Sequence, residues 1–453
     1  AMVLAAAGCD DGNGTTPPPE DGGNGEDGGN GNDDGGMDVT GIPPCEEPPE
    51  QTCPAEDART MVGIDEDITE DTTWTCDNTY LLSELVYVRN DARLTIQPGT
   101  QIHGLPGGAL LSSRNGKLCS YGTADDPVVF TAARENESDP RSPGDWSGVA
   151  LLGHAPINNG ELEGNTARIV EGLPDTEDRG IYGGTDPTHD CGVIRYTRVE
   201  FGGFEIGPGN ELNGLTFAGC GSDTEVDYVQ VHDGSDDDIE IFGGNLNLKH
   251  VIVSKGMDDG FDFDNGWQGM VQYLIIQSGP ESDHGIESDS NGDDPSAEPR
   301  TDATIMNMTM VGHPDMGSGL ALHREGLNVV VGNAIYLKDD TFALNEEDET
   351  ATDIAVTNSL FYDVGEDDTT WCTAAVDECD TITGDATNVI GTTDPGLGDP
   401  LSLTAPDFQP AAPVGDPLDP STVDPFFDAA EYLGAIDPEG DDWTDGWTAF
   451  PAD

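Results

Sequence analysis

Residues 226–290 read VDYVQVHDGSDDDIEIFGGNLNLKHVIVSKGMDDGFDFDNGWQGMVQYLIIQSGPESDHGIESDS and contain one short pattern three times. The segment DDDIEI at 236–241 matches DDGFDF at 258–263, which lies 22 residues later. The segment DHGIE at 283–287 begins the third copy. Two short strand-like runs per period, each ending at Gly or Asp, are typical of a solenoid.

The period continues in both directions from this stretch. Upstream, GVAL at 148–151 belongs to the same column, and downstream GLAL at 319–322 continues it. Short strands that are joined by tight corners and stacked about 4.8 Å apart predict an all-β parallel β-helix. A β-sandwich or a propeller is the alternative, but a propeller blade takes roughly 40 residues, which is far more than the period observed.

The composition limits the partners of the chain. Among 453 residues there are 16 Lys and Arg against 90 Asp and Glu, which gives a net charge of -74. Such a charge excludes nucleic acid and an anionic membrane surface as partners, because phosphate binding needs clustered cations. It favours cations, cationic partners, or simply solubility in salty surroundings that screen the self-repulsion.

The N-terminus predicts an exported, lipid-anchored protein. Residues 1–9 (AMVLAAAGC) resemble the end of a bacterial lipoprotein signal, with small residues before Cys9, the predicted lipidation site. The basic start of such a signal is missing, so we expect the sequence to begin inside it; an ordinary signal with an incidental Cys is the alternative. Residues 10–36 are rich in Gly and Asp and predict a disordered acidic linker. This tether would hold the folded part at the outer membrane or cell surface.

The other eight cysteines form an even set, which favours disulfides in an exported protein. Cys372 and Cys379 are close in sequence, and Cys191 and Cys220 lie in neighbouring predicted coils, so we expect each pair to form a bridge. The remaining pairings stay open. The predicted organisation is a Cys-containing N-terminal cap at 37–79, the β-helix at 80–384, and a Pro- and Asp-rich capping segment at 385–453.

Several longer motifs resemble a known group of proteins. They include GDWSGVALLGHAPIN (144–158), DDGFDFDNGWQG (258–269) and YLGAIDPEGDDWTDGWTAF (432–450). Together, in matching order over roughly residues 80–450, they resemble secreted bacterial β-helix proteins of the lipoprotein type. The resemblance implies a right-handed parallel β-helix and an exported location, and it implies no activity. Similar right-handed β-helices include pectate lyases and adhesins, so the fold alone does not select a function.

Alignment of the copies separates inward from outward positions. The inward column is predicted to contain Ile239, Phe261, Ile286, Leu320 and Phe342. The outward column between them contains Glu240, Asp262 and Glu287, and the next outward column contains Asp264, Asp289, His323 and Asn345. We expect His323 to be a surface residue. The corner before each strand contains Asp236, Asp258 and Asp283, followed by Asp237, Asp259 and His284.

Carboxylates that are stacked about 5 Å apart repel each other by roughly 3 kcal/mol per pair at an effective dielectric constant near 20. Water and salt, protons or bound cations can relieve this repulsion. Oxygen-rich clusters suit Ca²⁺. The sequence therefore predicts a calcium ladder, with a solvated acidic face as the alternative, at Asp236, Asp237, Asp258, Asp259, Asp262, Asp264, Glu287 and Asp289.

The predicted role is binding or surface structure, calcium-dependent, toward a glycan or another cell-surface protein. The alternative is a glycan-cleaving enzyme, either a glycosidase or a polysaccharide lyase. Its carboxylates would come from Asp262, Asp264, Glu287 and Asp289, with His323 and Arg324 nearby. An acidic face without a basic cluster repels polyuronates unless calcium is bound, so the sequence favours binding over catalysis. A deep groove with aromatic platforms and two close carboxylates would favour the enzyme.

Overall fold

Parallel strands that are stacked in register build this chain into a β-helix. The computed structural model describes residues 41–451, apart from 50, 135, 137–138, 175, 208–209, 317, 340–342, 347–351, 366–370, 373–375 and 392. Each central coil contributes one strand to a nine-stranded sheet and one or two strands to a 17-stranded sheet. The predicted lipidation site Cys9 and the linker at 10–36 lie outside the described residues.

The nine-stranded sheet forms one side of the solenoid, and all its strand pairs are parallel. In coil order its strands are Leu85–Val88, Ala109–Ser112, Gly148–Leu152, Leu215–Ala218, Ile239–Phe242, Phe261–Asp264, Ile286–Ser288, Ala321–His323 and Asn345–Glu346.

The 17-stranded sheet wraps the other two sides. In the middle coils a single long strand bends and contributes to both sides, whereas separate short strands do so nearer the ends. The strands are Thr60–Ile64, Thr72–Trp74, Asn78–Leu82, Ala92–Ile96, Gln101–Gly104, Gly116–Tyr121, Val128–Ala132, Gly192–Glu200, Glu225–His232, Asn247–Ser254, Met270–Gln277, Asp302–Val311, Asn328–Gly332, Ile335–Asp339, Asp353–Thr357, Leu360–Val364 and Val389–Ile390.

The long strands bend at a column of residues whose backbone adopts the left-handed conformation, with positive φ. Tyr228, His250 and Tyr273 have φ values of 55°, 48° and 64°, and Asn307 and Asn333 continue the column at 55°. Asn and His tolerate this conformation better than most residues do. At the aromatic positions, stacking offsets the strain: the Tyr228 and His250 rings are 4.2 Å apart, and the His250 and Tyr273 rings are 4.6 Å apart.

The predicted inward column is confirmed in the central coils. Ile239, Phe261 and Ile286 pair in successive strands and are at most 1% exposed. Leu320 is buried in the same core, as predicted, but Ala321 and not Leu320 pairs with Ile286, so the register of the next strand is shifted by one residue. The Leu320 carbonyl accepts the N–H groups of both Gly285 and Ile286, so an extra buried residue is accommodated at the strand start. Phe342 lies outside the described residues.

This shift of register moves His323 from the surface to the interior. His323 pairs with Ser288, is 1% exposed, and its Nδ1 lies 2.6 Å from Ser288 Oγ. The prediction of a surface histidine is therefore wrong, since a one-residue slip moves a side chain to the opposite face of a strand. Burial lowers the pKa of His323 to about 4, so the ring is neutral.

Four disulfides are present among the described cysteines. Cys191–Cys220 and Cys372–Cys379 are the pairs expected from the sequence. Cys45–Cys119 and Cys53–Cys76 are the pairs that the sequence left open. The parallel ladder also begins before the predicted boundary at residue 80, because Thr60–Ile64 already pairs with Asn78–Leu82.

The remaining elements are short. One α-helix spans Val376–Gly384, and single 3-10 turns span Glu56–Ala58, Asp178–Gly180 and Pro420–Thr422. Two small antiparallel hairpins pair Arg168–Ile169 with Ile181–Tyr182 and Glu205–Gly207 with Asn210–Glu211. Among the described residues, no helix is both long enough and apolar enough to cross a membrane.

The Pro-rich C-terminal segment runs along the outside of the larger sheet. Trp443 and Trp447 pack edge-on against Tyr228 of the aromatic column. Outward amide side chains of the coils bind the backbone of the segment: Gln230 binds Ala449, Gln272 binds Asp428, Gln277 binds Pro400 and Ser402, Asn307 binds Ala430 and Tyr432, and Asn333 binds Leu418 and Ala430.

Candidate metal centre

The segment between the strands Gly148–Leu152 and Gly192–Glu200, called the insertion below, covers the outer face of the nine-stranded sheet. Val170, Leu173 and Tyr182 in the insertion pack on outward apolar residues of the coils such as Leu152 and Phe242. Between the insertion and the sheet lies a cleft of about 670 Å³. The strand residue Glu240 is therefore covered, at 5% exposure, whereas the corner residue Asp258 is exposed.

Polar side chains dominate the lining of this cleft, although Tyr182 and Phe242 form part of its wall. Two of the lining oxygens, Asn159 Oδ1 and Asp264 Oδ1, are buried and have no hydrogen-bond partner among the described residues. The polar and charged lining residues are Asn159, Glu161, Arg168, Glu171, Tyr182, Glu240, Asp264, Asn265, Asn291 and Asp293.

Corner carboxylates at the edge of the sheet connect one coil to the next. Asp237 Oδ1 accepts the backbone N–H of Asp259 at 3.0 Å, and Asp259 Oδ1 accepts that of His284 at 2.6 Å. Asp238, which is fully buried, accepts the N–H groups of Gly234 and Gly256 at 3.1 Å. Satisfying buried backbone donors is thus one physical reason for the recurrence of Asp at this corner.

The same region brings metal-ligand atoms together. In each of three groups the atoms lie within 4.8 Å of one another. Two groups contain only carboxylates and share Asp237, whereas the third contains a histidine. The groups are Asp236 with Asp237 and Asp258, Asp237 with Glu240 and Asp262, and Asp259 with His284 and Glu287.

Two residues of the predicted ladder lie outside these groups. Asp289 accepts a hydrogen bond from Arg324 Nε at 2.8 Å, and Arg324 also binds Glu287, so Arg324 offsets their charges. Asp264 lines the cleft instead. Glu240 and His284 join the groups although the sequence prediction did not include them as ligands. Glu240 is the link between the cluster and the cleft, because it belongs to both.

Burial and mutual repulsion disfavour the charged form of these carboxyl groups. Burial, reinforced by Glu171 and Asp258, raises the pKa of Asp236 to about 7. Burial and then Asp259 raise the pKa of Glu287 to about 8. The pKa values of Asp237, Glu240 and Asp262 are also raised well above the ordinary range, first by burial and then by neighbouring carboxylates. At neutral pH these carboxyl groups therefore need either protons or a bound cation to offset their repulsion.

One signal in the sequence could have predicted the covering of this sheet. The early strands read LVYV at 85–88 and GVALL at 148–152, with apolar residues on both faces. Continuous apolar runs are typical of strands that are buried on both sides. Strict alternation, on which the open-face interpretation depended, holds only in the central coils that carry the acids.

Comparisons with known proteins agree with the architecture. A family model described as a pectate-lyase-like β-helix domain matches residues 66–399, which is well over half of the chain. The matched range contains every residue of the three groups. Neither the curated proteins nor the solved structures contain a significant match.

Proposed function

Because this chain belongs to the pectate-lyase-like β-helix domain family, we propose that it binds glycans in the covered cleft, with calcium in the adjoining all-carboxylate cluster. The family is compatible with glycan binding and with glycan cleavage. The observation that carries the proposal is the position of Glu240, which lines the cleft and lies within 4.8 Å of ligand atoms of Asp237 and Asp262.

The residues of the cluster fit calcium. Calcium prefers six to eight oxygen ligands, and two groups of three carboxyl groups that share Asp237 supply oxygens here. Oδ1 of Asp262 is buried and has no hydrogen-bond partner among the described residues, so it can act as a ligand without losing another contact. A bound divalent ion would also offset the repulsion that raises the pKa values of the group. The proposed ligands are Asp236, Asp237, Asp258, Glu240 and Asp262.

The cleft fits a neutral, hydroxyl-rich ligand. Its volume of about 670 Å³ lies in the usual range for small-ligand sites. The two unsatisfied acceptors, Asn159 Oδ1 and Asp264 Oδ1, require donors, which sugar hydroxyls supply. The acidic lining disfavours anionic glycans, since Arg168 is the one basic residue among the described lining residues.

A glycan array that is run with calcium and then with a chelator tests this function. We expect binding of neutral glycans that weakens when calcium is removed. Asp237→Asn should reproduce the effect of the chelator, while Asp315→Asn, at a side chain that is 82% exposed, serves as the matched control. No bound glycan in either condition, or equal binding by Asp237→Asn with and without calcium, would contradict the proposal.

Glycan cleavage is the second candidate function, and one observation favours it. Glu240 and Asp264 line the same cleft, and burial raises the pKa of both well above the ordinary range. A protonated carboxyl group beside a bound sugar can act as a general acid. Analysis of the array glycans by mass spectrometry would detect cleavage, and Asp264→Asn should abolish cleavage if this residue supplies the proton.

We also propose that the protein is exported and anchored by a lipid at Cys9, where it would meet a glycan or another cell-surface protein. The four disulfides support an oxidising compartment. The intact mass of the protein isolated from its native cells, measured after thiol alkylation, tests the anchor. A mass without an added acyl group at Cys9 would contradict it.

A further inference from the structure

The third group of ligand atoms differs from the other two because it contains an imidazole. His284 lies at the corner before the strand Ile286–Ser288 and is 7% exposed. Its Nδ1 lies 3.2 Å from Asp259 Oδ1, 3.6 Å from Glu287 Oε2 and 3.8 Å from Asp283 Oδ2. Among the described residues, no acceptor meets this nitrogen with the geometry of a hydrogen bond. A buried nitrogen is thus directed between several carboxylates, and its nearest partner is the ion-pair contact with Asp259.

Hydrogen bonds hold the carboxylates of Asp259 and Glu287 in place beside His284. Asp259 accepts the backbone N–H of His284 at 2.6 Å, which fixes its carboxylate beside the ring. Arg324 donates a hydrogen bond to Oε1 of Glu287, so the other carboxylate oxygen, Oε2, remains directed at His284. Contacts of this kind orient the ligands of metal sites before the metal binds.

We infer that His284, Asp259 and Glu287 form a second metal site, which takes a borderline divalent ion of the zinc or cobalt class and not calcium. For metal–ligand bonds of about 2.0–2.1 Å, tetrahedral ligands lie about 3.3–3.4 Å apart. The separations of 3.2 Å and 3.6 Å from Nδ1 to the two carboxylates match that spacing. Imidazole nitrogen suits zinc, copper and nickel, whereas calcium prefers oxygen ligands throughout.

The side of the group next to Asp283 is its most exposed side. Asp283 lies 3.8 Å from the imidazole nitrogen, and its side chain is 48% exposed. A water molecule, or a ligand oxygen from outside the protein, can therefore complete the coordination. This inference rests on the proposed metal dependence but uses different residues from the calcium cluster. The second metal site can therefore be disproved while the calcium site holds, and the reverse is also true.

Titration of the full chain with Co²⁺ in the presence of excess calcium tests the site. We expect saturable binding of one Co²⁺ with visible d–d absorption, and displacement of that absorption by Zn²⁺. His284→Asn should weaken Co²⁺ binding by at least roughly ten- to hundredfold, the cost typical of losing even an outer-shell partner of a metal ligand. The matched control is His313→Asn, at a histidine that has an acidic neighbour but lies outside the groups.

Further variants separate this site from calcium binding and from misfolding. Asp237→Asn should impair the response to calcium and leave the cobalt spectrum unchanged. Glu287→Gln should weaken cobalt binding as His284→Asn does, and a circular dichroism spectrum like that of the unmodified protein shows that each variant is folded. The inference is overturned if folded His284→Asn binds Co²⁺ as the unmodified protein does, or if the unmodified protein binds none. In the latter case His284 is only an ion-pair partner of the carboxylates.

Discussion

Removing calcium should make the stability of this β-helix fall as the pH rises. Asp236 and Glu287 have folded-state pKa values of about 7 and about 8, against ordinary values of 3.8 and 4.5. A carboxyl group with a raised folded-state pKa favours folding below its unfolded-state pKa and loses that contribution as the pH rises through the folded-state value. The loss therefore falls between about pH 4 and pH 8.

The magnitude follows from the same values. One pKa unit corresponds to about 1.4 kcal/mol, so Asp236, which is one of the proposed calcium ligands, accounts for a loss on the order of 4 kcal/mol. Calcium opposes this loss, because its ligands must be deprotonated and its binding strengthens with pH. At a hundredfold excess over its dissociation constant, calcium adds about 2.7 kcal/mol. For a folded unit of this length, this gain in the free energy of unfolding corresponds to a rise in Tm of about 3 °C.

Melting curves measured from pH 5 to pH 8, in chelator and in millimolar calcium, provide the assay. Sodium at matched ionic strength controls for screening, and Asp262→Asn should reduce both the fall with pH and the response to calcium. If sodium raises Tm at pH 8 as much as calcium does, the cluster is only a screened acidic surface. A Tm in chelator that is independent of pH would contradict the raised pKa values.

Three further predictions concern the fold. Phe261→Ala should lower the free energy of unfolding by about 3–5 kcal/mol, because it leaves a cavity in a fully buried column; a loss below about 1 kcal/mol in urea unfolding would contradict the inward stacking. Replacing Cys191 and Cys220 by Ser should cost about 3–4 kcal/mol, since their bridge closes a separation of 29 residues; unchanged unfolding would show that the bridge adds nothing. Asn333→Ala should release the C-terminal segment to proteolysis, because Asn333 has a φ of 55° and binds Leu418 and Ala430; protease resistance equal to that of the unmodified protein would exclude this role.

Local periodicity predicted the coils well, because each coil repeats the same inward positions. The recurrence at 22 residues was enough to place Ile239 and Phe261 in one column. It placed Leu320 inside correctly but not the register of the strand after it, because a long loop precedes that strand and the period no longer fixes the pairing. One extra buried residue there was enough to place His323 on the wrong face.

The candidate site was predicted only in part, because its enclosure depends on distant contacts. The acidic recurrence identified Asp237 and Asp262, which the structure brings together. It could not show that Tyr182 and its neighbours cover the sheet, since the insertion carries no repeat. It also could not show that two of the predicted ligands, Asp237 and Asp259, each accept a backbone N–H of the next coil.

The outward strand column separates structural acids from acids that need another explanation. Corner residues such as Asp237 satisfy backbone donors of the next coil, so the fold itself accounts for part of their presence. Glu240 and Asp262 are strand residues paired in register, and the same column continues to Thr216 on one side and to Leu322 on the other. Neutral side chains therefore fit this column, and the sheet does not require acids in it. Buried carboxylates side by side destabilise the fold unless protons or a counterion neutralise them, which is why we propose a cation for this column and not for the acidic surface in general.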